Sequence, residues 1–269
     1  MNVDTGVVTF LAAPDHESPG DQGADNTYEI SVTVTDSGGL GDTADLAITV
    51  EDVFESTDWA RGFGGTSASE RSEGVVVDAS GNAHVAGYFA GTVDFDPGPA
   101  NLNLTSHGSS DVFVVKLDGG GDLLWARHVG GTGGDRGLGV AVDAGGNTYV
   151  TGYFAGTADF DPGLGMHELT SDGNNDIFVV NLDSAGDLVW ARHLGGTFSN
   201  SGHSVTVDDG GNTYVTGSFF GTVDFDPGPG VMNLTSHGNH DAFVVKLDST
   251  GDLVWAGHVG GAGNDQGHG

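Results

Sequence analysis

Apolar residues in this chain fall in short runs and follow no helical period. Val75-Val76-Val77, Tyr149-Val150 and Phe178-Val179-Val180 are β-branched or aromatic, and Gly-, Asp- and Asn-rich stretches separate such runs. Short runs of this composition between turn residues read as strands. No segment shows the i, i+3, i+4 spacing of an amphipathic helix, and no apolar run is long enough to span a membrane. The pattern predicts an all-β protein.

The pattern also recurs. Trp59, Trp125, Trp190 and Trp255 are 66, 65 and 65 residues apart, and Asp78, Asp143 and Asp208 are 65 apart. The extra residue of the first copy therefore falls between Trp59 and Asp78, in the loop holding Ser67 to Ser72. Each copy opens on Trp-Ala and a Gly-Gly turn, then a short strand ending in Asp. A turn such as Asp143 to Asn147 follows, then an apolar segment such as Thr148 to Phe154. Next come Asp159-Phe-Asp-Pro-Gly163, a Leu-Thr-Ser segment, the strand Ile177 to Leu182 and a second turn, Asp183 to Asp187. The copies are 59–124, 125–189, 190–254 and a partial 255–269, within a region spanning 54–269.

Two strand–turn–strand units per copy give four principal strands, the makeup of a propeller blade. The period exceeds the roughly 40–50 residues of common propeller repeats. The surplus lies between Asp-Phe-Asp-Pro-Gly and Leu-Thr-Ser, which predicts a small hairpin or a long loop there. A β-solenoid ranks second, because its repeats are usually much shorter.

The blocks Gly145-Gly-Asn-Thr-Tyr-Val-Thr-Gly-Tyr-Phe154, Asp94-Phe-Asp-Pro-Gly-Pro99, Asp111-Val-Phe-Val-Val-Lys-Leu-Asp118 and Gly121-Asp-Leu-Leu-Trp-Ala126 resemble the bacterial β-propeller repeat family. The resemblance covers roughly residues 59 to 269. It implies an architecture found in large secreted or surface proteins and no catalytic motif.

Residues 1–53 do not fit the repeat. They contain Asp4-Thr-Gly6, an apolar strand from Val7 to Leu11, Asp15-His-Glu17, a strand from Tyr28 to Thr35 closing on Asp36, and a strand from Ala44 to Val50 closing on Glu51-Asp52. Strand direction puts Asp15, Glu17 and Asp52 at one end of this part and Asp36 at the other. Three carboxylates at one end repel unless a cation joins them. These pieces resemble the C-terminal half of a cadherin-type domain, an immunoglobulin-like sandwich. That resemblance implies Ca²⁺ ligands at Asp15, Glu17 and Asp52 for one junction and at Asp36 for the other. The usual cadherin linker is replaced by Asp52-Val-Phe-Glu-Ser56, and the N-terminal strands are missing. A half sandwich leaves open edges. The expectation is a fragment of a larger protein.

Charge narrows the function classes. Seven Lys+Arg stand against 38 Asp+Glu, a formal net charge of −31. Such a chain repels nucleic acid and anionic membranes. An acid excess serves solubility in salt or cation binding. With no cysteine, packing or metal must hold the fold.

Further candidate ligands for Ca²⁺ are the repeated pairs Asp94/Asp96, Asp159/Asp161 and Asp224/Asp226. The alternative is that these carboxylates cap backbone N–H groups in a turn. The hairpins at 118–122, 183–187 and 248–252 resemble the Asp-box turn of sialidase-type propellers with altered spacing, and that motif is itself structural. Gly130 to Asp135 and Gly260 to Asp265 match the start of a Ca²⁺-binding nonapeptide, but 130 residues separate them rather than nine. His128, His193 and His258 recur at one repeat position and read as structural filling, as no two histidines have ligand spacing beside a carboxylate cluster. His237 and His240 form the closest pair, and the first copy has His107 and Ser110 there. No nucleophile elbow or phosphate loop is present. The expectation is a non-enzymatic, Ca²⁺-binding adhesion or interaction protein of the bacterial surface or exterior. Its partners would be other proteins or cell-surface glycans, without membrane insertion. The alternatives are a glycan-binding propeller and a propeller hydrolase.

Overall fold

The computed structural model describes residues 27–35, 39, 41–49, 59–65 and 69–268. The chain divides into two units, Met1–Asp58 and Trp59–Gly269. In the first, β1 (Thr27–Thr35) and β2 (Gly41–Thr49) pair antiparallel from Thr27↔Thr49 to Thr35↔Gly41. They match the two strands expected there. The described residues of this unit amount to a hairpin and do not show the expected sandwich.

The second unit is built from β-strands throughout its described residues. Counted by meander, each structural copy ends on the Trp-bearing strand that opens the next sequence period; the first supplies β3 (Ser69–Val77), β4 (Ala83–Ala90), β5 (Thr92–Asp94), β6 (Asn103–Thr105), β7 (Asp111–Leu117) and β8 (Leu123–Gly131). The second supplies β9 (Arg136–Val142), β10 (Thr148–Phe154), β11 (Thr157–Asp159), β12 (Glu168–Thr170), β13 (Asp176–Leu182) and β14 (Leu188–Gly196). The third supplies β15 (Ser201–Val207), β16 (Thr213–Phe219), β17 (Thr222–Asp224), β18 (Asn233–Thr235), β19 (Asp241–Leu247) and β20 (Leu253–Val259).

The four long strands of each copy form an antiparallel meander: β3-β4-β7-β8, β9-β10-β13-β14 and β15-β16-β19-β20. Packing against neighbouring parts of the unit covers both faces of β7 and β13, which are buried along their whole length, whereas β19 of the last meander leaves Val244 exposed. This explains the unbroken Val-Phe-Val-Val runs, since a strand sandwiched between neighbours has no solvent face on which to alternate. At the tight turns Asp supplies the cap. Asp183 Oδ1 accepts from the N–H groups of Ala185 (2.9 Å) and Asp187 (3.0 Å). Gly186 sits at φ +82°, where a side chain is strained, and a Cβ there would approach Trp125 at 3.0 Å.

The surplus of the long period is the pair of short strands. Each copy's hairpin leaves its own meander and bonds to the preceding one. β11 pairs with β12 and, through Ala158↔Gly131 and Asp159↔Gly130, with β8. β17 does the same to β14, and Asp94 bridges to Gly64. Phe160 of Asp-Phe-Asp anchors its hairpin, lying 5.3 Å from Phe154 and 5.1 Å from Phe178, ring centre to ring centre. Phe95 and Phe225 are buried in the same way. The first strands of successive meanders are neighbours: β9 packs beside β3 and β4, and β15 beside β9 and β10. Three apolar cores result, one between each meander and the next and one beneath the 59–65 segment.

Candidate functional site

The junctions between copies carry the polar chemistry. One set of groups is a latch. Trp125 Nε1 donates to the Ser184 carbonyl at 3.1 Å, and Arg127 donates through Nε to Gly186 O at 3.1 Å and through Nη2 to Ala185 O at 3.0 Å. One copy thus holds the β13–β14 turn of the next by its carbonyls. Trp59 and Arg61 hold the 119–121 turn, and Trp190 and Arg192 the 249–251 turn, in the same way. At the fourth tryptophan, position 257 is Gly in place of Arg.

A second set surrounds the buried carboxylate that opens the third strand of each meander, Asp111, Asp176 or Asp241. The preceding loop brings up a residue four positions earlier, and the paired fourth strand brings a histidine across. In the first copy His107 Nδ1 lies 3.1 Å and His128 Nε2 3.9 Å from Asp111 Oδ2. In the third, His237 Nδ1 lies 3.1 Å and His258 Nδ1 3.0 Å from Asp241 Oδ2. In each of these copies the two imidazoles stack at 5.0 Å. In the second copy Asp172 takes the outer position, and His193 Nε2 approaches Asp176 Oδ2 at 2.9 Å.

A further position contributes to the electrostatics. It is Asp135, Asn200 or Asp265. Asn200 Nδ2 donates to Asp176 Oδ1 at 3.1 Å, and the Gly196 N–H reaches the same oxygen at 3.2 Å. Burial alone would raise the Asp176 pKa, but the His193 bond and these N–H donors outweigh it and hold the group below its usual value. Asp135 donates nothing. It takes the Gly131 N–H for itself at 2.7 Å and the Ala155 N–H at 3.0 Å. Burial, with a smaller push from the charge of Asp111, lifts Asp135 to about 6. Burial also raises Asp111 and lowers His128, the latter with help from His107. At Asp241 burial again acts upward, yet the bonds to His237 and His258 leave the group below its usual value.

The hairpin of the following copy closes a cavity over two of these clusters. His107 and His128 share one of about 260 Å³ with Asp159 and Asp161. Asp172 and His193 share one of about 410 Å³ with Asp224 and Asp226. The pairs Asp159/Asp161 and Asp224/Asp226 thus line the junction cavities, while in all three pairs one oxygen of each Asp caps its own loop. Asp94 Oδ1 accepts from Asp96 N (3.1 Å) and Leu102 N (2.9 Å), and Asp96 Oδ1 from Gly98 N (2.7 Å). The other two pairs do likewise. Asp15, Glu17, Asp36 and Asp52 lie outside the described residues.

Reasoning from sequence missed the His–Asp clusters because it sought ligand spacing along the chain. The groups meet across a strand pair, where Phe113 faces His128. The 65-residue register of Asp111, Asp176 and Asp241 was the available signal. Asp135, noted only within a Gly-rich block, lines the same cluster.

No family model matches the chain. It is similar to an uncharacterized WD repeat-containing protein, L264, of Acanthamoeba polyphaga mimivirus, at 26% identity over 282 residues covering 90% of this chain and 20% of that protein. It is also similar to the regulatory protein FlaEY of Caulobacter vibrioides, at 28% identity over 247 residues covering 91% of this chain and 24% of that protein. The chain therefore spans a quarter or less of the length of these relatives.

Proposed function

We propose that residues 59–269 form part of a β-propeller-type interaction platform, and that the protein works by binding partners and not by catalysis. The observation that carries this reading is the repetition of one four-stranded meander with one set of junction contacts. Four antiparallel strands per repeat is the makeup of a propeller blade, and WD repeats, which one relative's name reports, are of that kind. Catalysis needs one copy set apart by a nucleophile or a matched acid and base. Around the buried carboxylate of the described junctions the copies differ by His, Asp and Asn exchanges. The setting that goes with this reading is a bacterial surface or exterior, with proteins as partners in adhesion. Ca²⁺ is the ion suited to the carboxylates of the first unit.

Two measurements on the full chain test the reading. Chromogenic ester, phosphoester and glycoside substrates should turn over no faster than in buffer, and a rate abolished by Asp176→Asn would overturn it. Millimolar Ca²⁺ should raise the melting temperature relative to chelator, and superimposable melts would remove Ca²⁺ from the reading.

A further inference from the structure

We infer that the His–Asp clusters of the first and third copies each bind one divalent cation of the zinc class, and that the second copy holds an amide-satisfied version that binds none. Each of the two clusters offers two imidazole nitrogens and a carboxylate oxygen. That donor set suits zinc, whereas Ca²⁺ selects oxygen. Ligands at about 2.0–2.2 Å from a tetrahedral zinc stand roughly 3.3–3.5 Å from one another. The histidine-to-carboxylate distances of 3.1 and 3.9 Å in the first copy bracket that separation, and those of 3.1 and 3.0 Å in the third fall a few tenths of an ångström short of it. All three donor atoms of each cluster lie within 4.8 Å of one another.

An independent observation points to the ligand. Asp111 and Asp241 are fully buried, and the Oδ1 atom of each has no hydrogen-bond partner. The matching oxygen of Asp176 has two donors, Asn200 Nδ2 and Gly196 N. Replacing that amide by the carboxylate of Asp135 turns a donor into an acceptor, and Asp135 also captures the Gly131 N–H. Two buried carboxylate oxygens then converge beside Gly130. A Cβ placed on that residue would stand 2.8 Å from Asp111 Oδ1 and 2.9 Å from Asp135 Oδ2. Two buried carboxylates side by side, with Asp111 Oδ1 left without a donor, call for a cation. The cavity of about 260 Å³ over His107 and His128 leaves a side open for the ion to enter and for water to complete its shell.

The test is zinc content. The full chain is stripped with chelator, equilibrated with Zn²⁺ near neutral pH, and assayed by mass spectrometry for bound metal. Two tightly held ions per chain are expected. His107→Ala and His237→Ala should each lose one, and the double variant both. These side chains are 63% and 65% exposed, so the fold does not depend on them. Asp172→His combined with Asn200→Asp rebuilds the odd-copy set in the second copy and should raise the count to three. The inference is overturned if the chain retains no zinc, if both histidine variants retain the wild-type amount, or if equimolar Ca²⁺ displaces the zinc.

Discussion

At position 84 the first copy carries histidine where the others carry Tyr149 and Tyr214. The tyrosines donate their hydroxyls to Asp143 at 3.1 Å and Asp208 at 3.2 Å. His84 is fully buried, with Nδ1 2.8 Å from Thr148 Oγ1 across the junction and Nε2 3.2 Å from Asp78 Oδ2. Lys116 Nζ approaches the same carboxylate at 3.2 Å. Burial lowers the His84 pKa from 6.5, more than the Asp78 bond raises it, and the Lys116 charge adds to the lowering. The folded chain therefore takes this proton at lower pH than the unfolded chain does. Stability from this residue is complete above about 6.5 and falls as the pH drops below it. His84→Tyr should lose less stability than wild type between pH 7.5 and 5.5 in urea titrations, and equal losses would refute the argument. The histidine was visible in the sequence as a break in the repeat. Its burial was not, because the covering group, Thr148, belongs to the next copy.

At the scale of the element, the short hairpin is the least independent part of the structure. Two strands of three residues each hold little on their own. The hairpin is fixed by Phe160, which is 1% exposed, and by bonds to the end of β8. Phe160→Ala should cost about 3–5 kcal/mol in denaturant unfolding. It should also speed amide exchange in β11 and β12 well before β10 or β13 is affected; exchange that speeds equally in all four would argue against local anchoring. The strands, turns and place of the surplus were legible in the sequence, since runs and turn residues are local signals. That the hairpin docks backward onto the preceding copy was not, because pairing between copies leaves no local mark. The His–Asp cluster was hidden for the same reason. Its members are joined by the β7–β8 register and by a hairpin from elsewhere.

For the whole second unit, each junction is fastened three ways: by the Trp–Arg latch, by the backward hairpin and by the packed first strands. Contacts of this kind join neighbours only, so stability should be a sum of copy and junction contributions. Arg127→Ala removes two bonds to carbonyls of the next copy's turn. We expect a loss of about 1–3 kcal/mol, seen as faster hydrogen exchange in β8, β13 and β14 with β15–β16 unchanged. A uniform acceleration over all three copies would instead mean that the unit opens as one. The sequence showed the period and hence a chain of equivalent modules. It did not show what joins them, since the partners of each tryptophan and arginine are backbone carbonyls some 59 residues further on.

The latch reaches forward and the hairpin reaches back. Every period of the sequence therefore carries one half of two different fasteners, and its neighbours carry the other halves. A gene segment one period long, cut at any phase, encodes a complete set of plugs and sockets. Insertion or loss of whole periods by recombination rejoins both fasteners at the new boundary with no compensating substitution. Insertion of a fraction of a period breaks both at once. Array length is thus free to vary during evolution, but only in steps of one full repeat.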